Sequence, residues 1–449
     1  MGAEVAGAAE VGEGEGRAPG LQGAPQLAFA VVALEGPDQY SQAGGLGVRV
    51  TQMTRALAER AIPTWLYFVG DPRLPEAETR DGVRLRRVGQ EISGEFPDGV
   101  YSGERLKLSY LGARVPDVLL QEFVLAQLEQ GRIPVLLFEE WQTAGWAVST
   151  AARLRERGQG GRCLLLWNAN NQFGFERVDW VGLVEAAEVI TISRHMRLLV
   201  AGFGGDPVVI PNGVPSEYLQ PVPEETVAAL RQAAAPRQVL LKIGRFHHDK
   251  RWLQAVRALA LLRRAAAPVR LVVRGGGEAY RLEVLAEARS LGLRVSRWDL
   301  PIDDLESLAT ALRQTPEVDV LEVARFLPER LLPPLYAASL AVLANSGFEP
   351  FGLVGLEAMA SGGVAVVGAT GEDYARHLHN SLVIETDDPQ ELAQAVGRVA
   401  AEPRVAQEIR RAARAMAATY SWPLVVDGDL LPRLPLLARR QGVEWSPGG

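Results

Sequence analysis

The chain has 449 residues, too long for one ordinary core and suited to two domains of roughly 200 residues each. Hydrophobic residues make up 47%, charged residues 22%, and the formal net charge is −7. That balance lacks the basic footprint of a nucleic-acid binder. The single cysteine, Cys163, excludes an intramolecular disulfide and fits a reducing, cytoplasmic compartment.

Residues 1–25 are mostly Ala, Gly and Glu, without the basic start and apolar stretch of a secretory signal. They are expected to form a disordered tail. No apolar run approaches the roughly 20 residues that span a bilayer. Order is expected from Gln26. The run 27–34 (LAFAVVAL) has the continuous apolar character of a buried parallel strand. A glycine turn at 43–47 (AGGLG) follows, then an amphipathic helix over about 49–62, with Val50, Met53, Leu57 and Ile62 near one stripe. That helix is a candidate for peripheral membrane contact. The next strand is 64–70, which completes a βαβ unit. Arg84, Arg86 and Arg87 are expected on a solvated helix or strand face. Further strands are expected at 134–141, 163–170, 188–193 and 207–214, with a helix near 145–157.

The pattern restarts after Val214. Strands are expected at 238–246, 269–277, 341–346 and 364–371, with helices from Trp252 to about Arg264 and near 353–361. Residues 292–320 are charged and read as an inserted helix and loop. Two successive sets of βα units predict an α/β protein of two Rossmann-like domains. The expected division is a tail (1–25), an N-terminal domain (26–213), a C-terminal domain (214–420) and a helical segment (421–449). Polar residues gather at the carboxyl ends of the strands, where open α/β sheets bind ligands.

The strongest constellation runs from Gly347 through Glu349, Pro350, Phe351, Gly352 and Leu353 to Glu357. Pro350 suits the first turn of a helix, whose free N–H groups can face an anion. Glu357 would lie roughly 80° round from Glu349 if all were helical. Arg245 and Lys250 follow a strand and supply two cations for a diphosphate. Gly44 and Gly45 form a turn that lets backbone approach a sugar or phosphate. Glu139 ends a strand. So do Asn168, Asn170 and Asn171, whose amides both donate and accept, as polyol recognition requires.

The stretch EPFGLVGLEAMASG resembles the Glu-x7-Glu signature of the retaining glycosyltransferases of family 4, which include glycogen synthases, sucrose synthases and mannosyltransferases. The resemblance covers about residues 27 to 425, closely in the second half and more loosely in the first. It implies a GT-B fold, with two Rossmann-like domains facing across a cleft. It also implies transfer of a hexose from a nucleotide-sugar donor to a carbohydrate or other hydroxyl acceptor, with no further cofactor and no metal. Carried over, Glu349 contacts the transferred sugar and Arg245 and Lys250 hold the diphosphate. The amides of Phe351, Gly352 and Leu353 hold sugar and phosphate, and Glu357 holds the ribose. Gly44 and Gly45 match the family's Gly-Gly turn, but Gln42 stands where glycogen synthases carry Lys. Glu139 stands where they carry a His, and no histidine precedes His195. Glu139 is therefore a candidate to meet the donor sugar or acceptor, and Asn168, Asn170 and Asn171 are candidates for the acceptor. Pro211-Asn212-Gly213 reads as the interdomain hinge. The alternatives are a nucleotide-sugar epimerase and a non-catalytic nucleotide-sugar-binding protein.

Overall fold

The computed structural model describes residues 26–445; the tail expected over 1–25 lies outside them. Two sheets organise the chain. The first contains β1 (Leu27–Val32), β2 (Thr64–Val69), β3 (Ala77–Arg80), β4 (Val83–Val88), β5 (Ile133–Glu139), β6 (Leu164–Ala169), β7 (Glu188–Thr191) and β8 (Val208–Val209), in the order β3-β4-β2-β1-β5-β6-β7-β8. The second contains β9 (Gln238–Ile243), β10 (Val269–Arg274), β11 (Val295–Trp298), β12 (Val320–Val323), β13 (Ala341–Ala344), β14 (Ala365–Val367) and β15 (Leu382–Val383), in the order β11-β12-β10-β9-β13-β14-β15. All pairings are parallel except the β3–β4 hairpin.

Both sheets are covered on both faces, which is why their strands read as unbroken apolar runs. In β1, Ala28, Ala30 and Val32 enter one apolar layer while Phe29 and Val31 enter the opposite one. This is the period-two alternation of a strand. The helix Gly45–Ala58 lays Val50, Met53 and Leu57 into the second of these layers. These side chains are at most 1% exposed, so the stripe offered above for membrane contact belongs to the core. No helix among the described residues is long and apolar enough to cross a membrane.

The C-terminal segment returns to the first sheet. Trp422, Val425, Leu430, Leu434 and Leu437 share a layer with Phe29, Leu57 and Leu66. The chain thus crosses twice between the sheets. The crossings run side by side, with Val214 N–H donating to the Tyr420 carbonyl at 2.7 Å.

Three expectations are corrected. Residues 292–320 are not simply helix and loop. Strand β11 pairs with β12 at the sheet edge, flanking the helix Leu305–Arg313. Its four residues are short and partly exposed, so no apolar run announced it. Strands β3 and β4 carry no unbroken apolar run, because arginines interrupt β4. Arg87, expected on a solvated face, is 1% exposed and donates to Asp38 at 2.7 and 2.9 Å and to Glu78 at 2.5 Å.

Candidate active site

Two loops leave the carboxyl ends of β9 and β13 side by side. Lys250 Nζ donates to Glu349 Oε2 at 2.5 Å, and Ser346 Oγ donates to the same oxygen at 2.8 Å. Gly347 N–H donates to the Asp249 carbonyl at 2.7 Å, which ties one loop to the other. Beneath them lies Lys242, 2% exposed, donating to Asn345 Oδ1 at 2.6 Å and the Leu343 carbonyl at 3.1 Å. Burial, with Lys250 and Arg251 nearby, holds this amine well below its usual range. Arg245 is exposed and forms no ion pair among the described residues.

The next helix runs from Leu353 to Ala360, with Gly352 as its N-cap and no side-chain cap. Its first amides therefore have no side-chain acceptor among the described residues, and the cap adjoins Glu349, whose Cγ a Cβ on Gly352 would approach to 3.4 Å. Pro350 stands before the cap rather than in the first turn. Glu349 is consequently not helical, and the 80° reckoning does not apply. Gly352 has φ +84°, and a Cβ there would meet Glu372 Cγ at 2.8 Å and the Tyr374 hydroxyl at 2.9 Å. Only glycine fits this turn. Phe351 is buried, 2% exposed, against Tyr374 and Tyr420.

Glu357 keeps a partly open face and accepts from Tyr336 Oη at 3.2 Å. Enough protein surrounds the carboxyl that desolvation pushes it up to about 7. Glu372 is pushed up to about 7 by burial and by the Glu349 charge, while accepting from the amides of Gly368 and Thr370 at 3.1 Å each. Thr370 Oγ1 in turn accepts from Glu349 N–H at 2.9 Å.

The first sheet supplies the facing wall. A Cβ on Gly45 would lie 3.3 Å from Leu353 Cδ1, so the glycine turn abuts the helix mouth of the second domain. His195 meets Phe348 ring to ring at 5.2 Å, and Arg194 Nε meets Asp373 at 3.0 Å across the same gap. Three of the turn's amides are already engaged: Ala43, Gly44 and Gly47 donate to Glu35 Oε2 at 3.3, 2.9 and 3.0 Å. A carboxylate of the chain itself occupies the helix terminus where an external anion was expected.

Glu139 also differs from expectation. It is fully buried and faces neither water nor the cleft. Its oxygens accept from Arg49 Nε at 3.2 Å, Asn168 Nδ2 at 2.8 Å and Asn170 Nδ2 at 2.5 Å. Arg49 also bonds Asn212 of the first crossing. Asn168 is fully buried, so its amide serves this network rather than a ligand. Asn170 and Asn171 keep partial exposure, and Asn171 donates to Glu140 at 2.9 Å. Glu140 has φ +72°, rare for a residue with a side chain. Burial and the charges of Glu139 and Glu35 hold its carboxyl well above the usual range.

The structure thus brings Glu349, Lys250, Gly352, Leu353 and the Gly44–Gly45 turn to one cleft, with Glu357 farther along the same helix and Arg245 at the rim. Sequence reasoning missed Glu35, Lys242 and Glu372. Glu35 and Lys242 carried a signal, a charged residue closing or interrupting a buried strand run. Glu372 carried none, because it lies in a polar loop. No cluster of three metal-ligating side chains occurs among the described residues.

Residues 237–402 match the family model described as glycosyl transferases group 1, a span that contains both second-domain loops. The chain is 28% identical over 407 residues to a D-inositol 3-phosphate glycosyltransferase of Geodermatophilus obscurus, covering 86% of this chain and 83% of that protein. It is 25% identical to an uncharacterised glycosyltransferase of Methanocaldococcus jannaschii, covering 88% and 95%. Among solved structures it resembles sucrose-phosphate synthase from Thermosynechococcus elongatus, with TM-score 0.63, 20% identity, and 92% and 98% of the two chains covered. It also resembles the catalytic domain of starch synthase IV from Arabidopsis thaliana, with TM-score 0.66, 16% identity, and 93% and 99% covered. The fold is GT-B, and the sequence similarities support a glycosyltransferase of the group 1 type.

Proposed function

We propose that this chain is a cytoplasmic, retaining glycosyltransferase of family 4, which moves a hexose from a nucleotide-diphosphate sugar to a hydroxyl acceptor. The observation that carries the reading is the Lys250–Glu349–Ser346 contact beside the uncapped helix terminus at Gly352. It combines a carboxylate for sugar hydroxyls, a cation for phosphate, and free amides for both within one cleft. Arg245, exposed and without an ion pair among the described residues, is the second cation for the diphosphate. Glu357 takes the ribose hydroxyls, which its ionised form binds by strong hydrogen bonds.

In this reading the bond between the anomeric carbon and the phosphate oxygen breaks as the acceptor oxygen attacks from the same face. The acceptor proton passes to the leaving phosphate, and Arg245 and Lys250 stabilise the charge growing there. Glu349 orients the sugar and forms no covalent bond. Glu139 holds the first-domain wall rather than touching the sugar, in contrast to the histidine it replaces. The donor is the only co-substrate besides the acceptor. Similarity to glycosyltransferases over most of the chain favours a transferase over an epimerase or a non-catalytic binder.

The test uses water as acceptor. The protein is incubated with UDP-, ADP- and GDP-hexoses, and the released sugar is followed by proton NMR. Retention predicts that the first-formed anomer matches the donor. It also predicts that Glu349→Ala slows release by roughly a hundredfold or more, as loss of a preorganised polar contact does. Release of the opposite anomer would reject the retaining mechanism.

A further inference from the structure

A cavity of about 380 Å³ lies on the far side of the second domain from the cleft. It opens where Gln238 starts β9 and Leu340 precedes β13, at the amino ends of the strands. The active-site loops leave the carboxyl ends. Along β9, a six-residue strand, the two are roughly 20 Å apart at about 3.3 Å per residue. The cavity is therefore separate from the donor site. Its size falls within the range of small-molecule pockets.

Its chemistry is one-sided. Leu230, Ala234, Leu335 and Val399 supply apolar wall, Arg231 stands exposed at the mouth, and Arg410 lies deeper. No Asp or Glu lines it. A third lining arginine, Arg237, is already paired with Asp319 at 2.8 Å. Arg231 and Arg410 have no carboxylate partner among the described residues; they donate only to main-chain carbonyls. Both converge on one atom, the Ala337 carbonyl, each at 3.2 Å.

That carbonyl lies in the last turn of the short helix Leu332–Ala338, and one cation at a helix C-terminus is ordinary. Two guanidiniums on the same carbonyl are not. Their charges repel, and neither is neutralised. Burial and the Arg231 charge push Arg410 down to about 10, and burial lowers Arg231. An anion between the two would relieve the repulsion and accept charge-assisted hydrogen bonds. The apolar wall beside them then asks for an apolar body on the same molecule.

We propose that this rear cavity binds an amphiphilic anion, with a phosphate or carboxylate head at Arg231 and Arg410 and a short apolar body against Leu230, Leu335 and Val399. The head is either that of a soluble metabolite or that of an anionic lipid, and the test separates the two.

The full chain is titrated by calorimetry with octyl phosphate below its micelle concentration, with inorganic phosphate, and with octyl glucoside. The expected result is saturable binding of one octyl phosphate, stronger than either control. In Arg231→Met it weakens at least about tenfold, the loss expected for one charged hydrogen bond, while Arg231→Lys retains most of it. Arg231 is exposed, and melting curves of both variants establish that they fold. Co-sedimentation with phosphatidylglycerol vesicles but not phosphatidylcholine vesicles, lost in Arg231→Met, identifies a lipid source; binding of the free probe alone identifies a soluble one. Absence of saturable octyl phosphate binding overturns the proposal. So does equal binding by Arg231→Met, or equal binding of octyl glucoside. None of these readouts depends on transferase activity.

Discussion

Glu139→Ala removes a fully buried carboxylate that holds three side chains at once: Arg49, Asn168 and Asn170. Arg49 is itself 2% exposed and already has one buried nitrogen, Nη2, without a partner among the described residues. Without Glu139 its remaining polar partner is Asn212, with the Trp422 ring 5.6 Å away. Breaking one side of a buried ion pair costs about 3–5 kcal/mol, because the other charge stays buried. For a domain of this size that is a fall in Tm of roughly 6–20 °C. The assay is thermal and urea unfolding, followed by circular dichroism, of wild type, Glu139→Ala, Glu139→Leu, Arg49→Met and the double variant Glu139→Leu/Arg49→Met, the last three closing a cycle with wild type. The double variant replaces the pair with apolar bulk. It should regain much of the loss, with a coupling of about 1–3 kcal/mol. A cost below about 1 kcal/mol for Glu139→Ala, or strict additivity in the double variant, would refute the reasoning. A Glu139→Ala protein of normal stability that bound donor but did not turn it over would restore Glu139 to the reaction itself.

Gly352→Ala should cost about 1–3 kcal/mol in urea unfolding and weaken donor binding, because φ is +84° and the added Cβ meets Glu372 and Tyr374 below 3 Å. Lys242→Met should leave Asn345 Oδ1 and the Leu343 carbonyl without their donor, at about 1–3 kcal/mol. Its effect on turnover, read as kcat against KM, should exceed that on donor affinity, since the loop it holds carries Ser346 and Glu349. The folded-state value of about 7 for Glu357 lies above the usual carboxylate range, so the folded protein binds the extra proton. The stability this contributes is present at low pH and is lost as pH rises from about 4.5 to 7. Donor affinity, which favours the ionised form, should rise over pH 6 to 8. Both dependences should flatten in Glu357→Gln, measured by melting curves and calorimetry.

Much of this architecture is legible in the residues. LAFAVV, LLLWNA and QVLLKI lie in sheets covered on both faces, so their apolar runs carry the strand signal unaided. The helix over Trp252–Arg264 ends where its periodicity does. The less legible parts are those whose partners are distant in sequence. Arg87 reads as a surface charge until Asp38, 49 residues earlier, is beside it. Glu139 reads as a ligand contact until Arg49 and Asn168 close over it, and the Gly44–Gly45 turn as an anion site until the Glu35 carboxylate meets the Gly44 and Gly47 amides. In each case a carboxylate or guanidinium could have faced a substrate, and a buried counterpart took it instead. Local pattern does not reveal that choice.

The most direct test of the donor site is a thermal-shift screen of the purified chain against UDP-, ADP- and GDP-sugars, with Arg245→Ala/Lys250→Ala and Glu357→Ala alongside. A single base should raise the wild-type Tm in a concentration-dependent manner, by RT ln(1 + [L]/Kd), and both variants should lose most of that rise. No shift with any donor at millimolar concentration, or a shift that both variants keep in full, would contradict a nucleotide-sugar site between the Gly244–Lys250 and Gly347–Leu353 loops.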